Sequence, residues 1–132
     1  DVFGERNADG VAPLLMNFIQ KADAAIAGND VAATLIYGHD STLQPYAAAL
    51  GLEKFSKTHS VDNLPFEYWD FASMIGMCSN VQIVFYRNKK NDILVKFLYN
   101  ERETTIPALE ASYAGVYYEW SKVREYYMGR LK

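Results

Sequence analysis

Apolar residues in "VAPLLMNFIQKADAAIAG" recur every three or four positions, at Val11, Leu14, Leu15, Phe18, Ala22 and Ile26. That spacing gathers them on one helical face. Pro13 is tolerated in the first turn, where backbone N–H groups have no helical partner, and Gly28 with Asn29 supplies a stop. The period then breaks. "VAATLIY", from Val31 to Tyr37, is short, carries β-branched residues and is almost wholly apolar. It predicts a strand with both faces covered, as a parallel-type sheet requires. Gly38 ends the run, Ser41 or Thr42 can cap a helix over Leu43 to Leu50, and Gly51 stops it.

The stretch from Glu53 to Met74 shows no clear period and contains Pro65, so it predicts a long connection, one that can pass over a functional face. Alternation takes over in "NVQIVFYR" and "ILVKFLYN": Ile83 and Phe85 flank Val84 beyond Gln82, and Val95 and Phe97 flank Lys96. The polar "NKKND" between the two runs has hairpin length, so an antiparallel hairpin is expected. "ERETTIPALEASYAG" reads as loop. Val116 to Leu131 then closes the chain as a helix, with Val116, Trp120, Val123 and Tyr127 as its apolar stripe and Lys122, Arg124, Glu125 and Arg130 for the wet side. The tyrosines crowding this end are expected to pack, with polar tips. The predicted class is α/β, a layered arrangement with a carboxyl-terminal β-hairpin and closing helix.

Composition narrows the picture. The chain has 132 residues, enough for one core, and half of them are hydrophobic, which fits a globular domain rather than a disordered one. No apolar run approaches the roughly 18 residues of a spanning helix. Net charge is −3 with scattered basic residues, which argues against a nucleic-acid partner. Cys78 is the single cysteine, so neither an internal disulfide nor a Cys/His metal site is expected. "DVFGERNADG" is charged loop material without an initiator Met, and it reads as the start of a piece cut from a longer chain.

Candidate chemistry concentrates in "ATLIYGHDST", because the chain owns two histidines and one of them, His39, follows the expected strand beside Asp40. Three roles compete for it. It can be a solvated turn, since Gly, Asp and Ser are ordinary turn residues. It can be a phosphate site: ligands of α/β sheets bind beyond strand carboxyl ends, and the next helix aims its N-terminal N–H groups at the same spot. There His39, Ser41 and Thr42 would meet the anion, and Asp40 would donate a proton if burial or a dianionic substrate favoured its neutral form. It can also be a nucleophile elbow with Asp40 as nucleophile. The elbow fits less well, because its fold wants a late base histidine and further parallel units, whereas His59 comes early and the next strands read as a hairpin.

"VAPLLMNFIQ…AATLIYGHDSTLQPYAAALGL" resembles the carboxyl-terminal catalytic segment of the histidine acid phosphatases, the branch of the histidine phosphatase superfamily that includes phytases and multiple inositol-polyphosphate phosphatases. "SNVQIVFYRNKKNDILVKFLYNERETTIP" is similar to that family's closing hairpin, so the resemblance spans roughly Val11 to Pro107. It implies a fragment of the α/β/α sandwich of that fold. It implies a phosphomonoester hydrolase working through a phosphohistidine, in which His39 binds the transferring phosphoryl group, Asp40 protonates the leaving alkoxide and Ser41 faces the substrate, beside the Thr42 hydroxyl that the helix-start reading adds. It implies no metal or organic cofactor, and a periplasmic or secreted parent. A poor alkoxide leaving group needs that proton, and the phosphoryl oxygens need fixed positive charge.

The family's nucleophile lies in an amino-terminal "RHGxRxP" motif, and this chain has none. The sequence therefore resembles the donor half of a phosphatase site, inactive alone, whose partner is the missing amino-terminal half. Asp40 directly after His39 is closer to the acid-phosphatase and phytase pattern than to the His-Ala-Glu style, which leaves the phosphate ester open, inositol phosphates included. An unpaired sheet edge left by the missing half would favour self-association. The class outside enzymes is a non-catalytic anion-binding or interaction module. His59 is expected in a solvated loop, Met74, Met77 and Cys78 as buried gap-fillers, and "ERE" at Glu101 to Glu103 as solvated loop rather than a carboxylate pair. Tyr68 and Trp69 lie in the long connection, where they can line a substrate face.

Overall fold

The computed structural model describes residues 10–28, 31–57, 62 and 74–132. His59, Tyr68 and Trp69 lie outside the described residues, as does most of the expected long connection.

Helix α1, Ala12–Ile26, forms where the periodicity places it, with Pro13 in its first turn and no capping side chain. It buries Leu15, Ile19 and Ala22, and Phe18 and Ile26 pack beside them. Helix α2, Asp40–Leu50, begins three residues earlier than expected. His39 is its N-cap, in extended conformation (φ −98°, ψ 164°), and neither Ser41 nor Thr42 caps it. Gly51 ends it in the left-handed region (φ 72°), and a single 3-10 turn follows at Glu53–Phe55.

Strands β1, Val81–Arg87, and β2, Ile93–Tyr99, form the expected antiparallel hairpin, with Phe85 opposite Val95 and Ile83 opposite Phe97. The turn is fixed by Asn88, whose Oδ1 accepts from the Lys90 and Asp92 backbone N–H groups at 2.8 and 2.9 Å, while Asn91 takes a left-handed φ of 64°. Two strands of three residues lie inside the segment expected as loop and at the start of the expected closing helix. β3, Arg102–Thr104, and β4, Tyr117–Glu119, both pair antiparallel with β2, so β2 is the centre of a four-stranded sheet. Helix α3, Trp120–Arg130, closes the chain.

Period 2 sends Val95, Phe97 and Tyr99 of β2 to one face, where they join Leu15, Ile19 and Ala22 of α1, Ala47 and Leu50 of α2, Ile106, and Trp120, Val123 and Tyr127 of α3 in one core. The buried tyrosines pack by their rings and bond by their tips. Tyr127 donates its hydroxyl to the Leu50 carbonyl at 2.7 Å, the Ile106 N–H donates to the Tyr118 hydroxyl at 2.9 Å, and Tyr99 donates to the Met74 carbonyl. Trp120 Nε1 and Arg124 Nε both donate to the Asp23 carboxylate, tying α3 to α1.

Two expectations are corrected. The strand expected over Val31 to Tyr37 does not form and enters no ladder; the sheet is antiparallel, and Leu35, Ile36 and Tyr37 are 74, 60 and 88 % exposed. A strand apolar on both faces needs a neighbour along its edge and a layer over each face, and the described residues bring none to it. The sheet that does form is built from segments close in sequence. Met74 is buried as expected, but Met77 is 98 % exposed and Cys78 is exposed with a left-handed φ of 62°, because the chain turns outward there before entering β1. The expected α/β class holds at the level of content: the described residues make a mixed α/β arrangement with the core between helices and one face of an antiparallel sheet. Among them no helix is long and apolar enough to cross a membrane.

Candidate functional site

The His39–Asp40 pair sits at the start of α2, His39 as N-cap and Asp40 as the first helical residue. His39, Asp40, Ser41 and Thr42 are all exposed. Gly38 precedes them, and a Cβ there would lie 3.9 Å from the Thr42 Cβ, ordinary contact. The four residues lie at the N-terminal end of a helix dipole, where negative charge is favoured.

Backbone donors at this helix end are mostly committed. The Thr42 and Leu43 N–H groups both donate to the His39 carbonyl at 3.0 Å. The Ser41 N–H donates to Asp40 Oδ1 at 2.7 Å, so the carboxylate is held against its own helix. Donors free to meet an incoming anion are consequently those of side chains: the His39 imidazole and the Ser41 and Thr42 hydroxyls. Among the described residues no ion pair involves His39 or Asp40.

The sequence-predicted residues His39, Asp40, Ser41 and Thr42 are thus brought together by their adjacency at a helix start. The carboxylates of "ERE" are not paired with one another: Glu103 binds Lys96 Nζ at 3.1 Å and Glu101 is exposed. Lys96 also lies over the rings of Tyr117 and Tyr86, at 5.3 and 5.9 Å, and the Glu103 hydrogen bond raises its pKa. No group of three or more His, Cys, Asp or Glu suited to hold a metal ion occurs among the described residues.

The sequence pattern pointed past one residue. Gln44 is the polar side chain on the buried side of α2, 7 % exposed, and its amide nitrogen has no hydrogen-bond partner among the described residues. The available signal was a glutamine four residues after Asp40 and three before Ala47, a polar position on an otherwise apolar helical face. No family model matches the chain, and no curated protein matches it.

Proposed function

We propose that this chain supplies the phosphate-binding and proton-donating half of a phosphomonoesterase of the histidine acid phosphatase type. The observation that carries the proposal is the placement of His39 and Asp40 side by side, exposed, at the N-cap and first turn of α2. A helix start favours an anion, a histidine beside it adds positive charge when protonated, and a carboxyl within the same turn can reach the oxygen that leaves.

In this mechanism a phosphate monoester enters with its phosphoryl oxygens toward His39 and the hydroxyls of Ser41 and Thr42. A histidine nitrogen from polypeptide outside this sequence forms the new bond to phosphorus as the ester P–O bond breaks. Asp40 passes its proton to the departing alkoxide. Water then cleaves the phosphohistidine and releases inorganic phosphate. Exposed Leu35, Ile36 and Tyr37, directly upstream of His39, are where the nucleophile-bearing half docks in this proposal, completing the strand that the sequence pattern specifies.

The test is hydrolysis of p-nitrophenyl phosphate and of phytate at acid pH, by this chain and by the longer gene product that the mechanism requires. Turnover only by the longer product supports the half-site. Turnover by this chain alone replaces it with Asp40 as nucleophile, and turnover by neither leaves a non-catalytic anion-binding module.

A further inference from the structure

Helices α1 and α2 start alike and are held differently. Neither N-cap is bonded by a side chain, and each cap carbonyl accepts at 3.0 Å from the same helical position, Val11 from the Leu15 N–H and His39 from the Leu43 N–H. Each helix also carries a proline. Pro13 lies in the first turn of α1, where its missing N–H costs nothing, and that turn is pinned by the buried Val11 and Leu15. Pro45 lies inside α2. There it removes the bond that an N–H would give the Ser41 carbonyl, and its ring crowds that carbonyl.

Burial does not make good the loss on the N-terminal side. Residues 31–42 are all exposed, and residues 32–38 make no backbone hydrogen bond among the described residues. Past the proline α2 is fixed, with Ala47, Ala49 and Leu50 buried and the Leu50 carbonyl bonded by Tyr127. Gln44 sits at the boundary between the two regimes. As the residue before a proline it is disfavoured in helical conformation. Its buried amide nitrogen has no hydrogen-bond partner among the described residues, which disfavours the same state again. Extended backbone at Gln44 would relieve the first conflict and bring the amide to water.

We propose that the first turn of α2, together with the extended segment before it, is a hinged unit that opens about Gln44 and Pro45 while the rest of α2 stays in the core. His39 and Asp40 then hold the arrangement seen here only while the turn is closed. The inference goes beyond the phosphatase reading and does not depend on it. Any ligand or partner that recognises the closed pair meets only the closed fraction, and raises that fraction by binding it.

The experiment is native-state hydrogen exchange by NMR on this chain, reading the backbone amides of Leu15, Leu43 and Gln44 without urea and in low urea. Leu15 and Leu43 make the equivalent bond in the two helices, so α1 serves as the internal control. The expected result is that Leu43 and Gln44 share one opening equilibrium and exchange about tenfold faster than Leu15 or more, the mark of a local unit. Their rates should barely change in low urea, because a local opening exposes little surface. Pro45→Ala returns a donor to the Ser41 carbonyl and should raise the protection of Leu43 about tenfold or more. Gln44→Leu removes the stranded amide, should raise it too, and serves if Pro45→Ala does not fold. Equal protection of Leu43 and Leu15 would overturn the proposal. So would protection that climbs steeply from Leu43 to Gln44, which is ordinary fraying of a helix end, or a Leu43 amide indifferent to Pro45→Ala.

Discussion

Tyr127 of α3 donates its hydroxyl to the carbonyl of Leu50, the last residue of α2, across 2.7 Å. The final carbonyls of a helix have no acceptor role within it, so this bond supplies one from another element. It also fixes the far end of the helix whose near end carries His39 and Asp40.

Tyr127→Phe keeps the ring in the core and strands the Leu50 carbonyl. We expect a loss of about 1–2 kcal/mol, the cost of an unsatisfied buried acceptor, read as a lower urea midpoint at unchanged slope. A midpoint equal to the natural protein's would mean that water replaces the hydroxyl and that the bond does not hold α2.

Alkaline pH should unfold the protein through the same ring. Burial holds the Tyr127 and Tyr46 hydroxyls protonated well above the ordinary tyrosine range, with the neighbouring Tyr126 adding to the effect on Tyr127. In the unfolded chain both ionise near pH ~10, releasing protons that the native state keeps. Their contribution is therefore complete below that pH and declines as pH rises beyond it. Lys96, its pKa raised by Glu103, acts in the same direction. The urea midpoint should fall above about pH 10, and less steeply for Tyr127→Phe. An equal slope in the variant would assign the alkaline loss to other groups.

In an active enzyme containing this half, Asp40→Asn removes the transferable proton and keeps the size of the side chain. Turnover of esters with alkoxide leaving groups should drop by roughly two to four orders of magnitude, while phosphate still binds. Wild-type turnover on activated and unactivated esters alike would remove Asp40 from the mechanism.

Leu35, Ile36 and Tyr37 stand side by side in solvent, and β1 pairs with β2 along one edge only among the described residues. On the proposed half-site reading, both features are expected to recruit a second copy when the docking half is absent. Sedimentation should show mass rising above the monomer with concentration, and Leu35→Ser combined with Tyr37→Ser should reduce it. A monomer at high concentration would count against self-association.

Local pattern carried the parts of the fold that are locally decided. Leu15, Phe18, Ala22 and Ile26 announced α1 because a helical stripe repeats over fifteen residues, and the Gln82–Phe85 and Val95–Phe97 alternations announced the hairpin. β3 and β4, at three residues each, are too short to show a period, and they exist because β2 offers them an edge. "VAATLIY" failed for the opposite reason: its composition specifies a strand, but strand formation depends on neighbours that its own residues do not provide. At the candidate site, His39 and Asp40 were legible because adjacency alone unites them. Gln44 was not, because an unpartnered buried amide is a property of its surroundings rather than of the letter Q.

The Asp23 carboxylate collects Trp120 Nε1 and Arg124 Nε, partners 97 and 101 positions away in the chain. Phe18 stacks edge-on to Trp120 in the same seam, at 5.7 Å between ring centres. During synthesis, α1 leaves the ribosome well before this latch exists, with only α2 and the hairpin to cover its apolar stripe. The seam closes only once Trp120 and Arg124 have been added. A ribosome-bound chain stalled before Trp120 should remain open to protease at α1, and extension beyond Arg124 should close it.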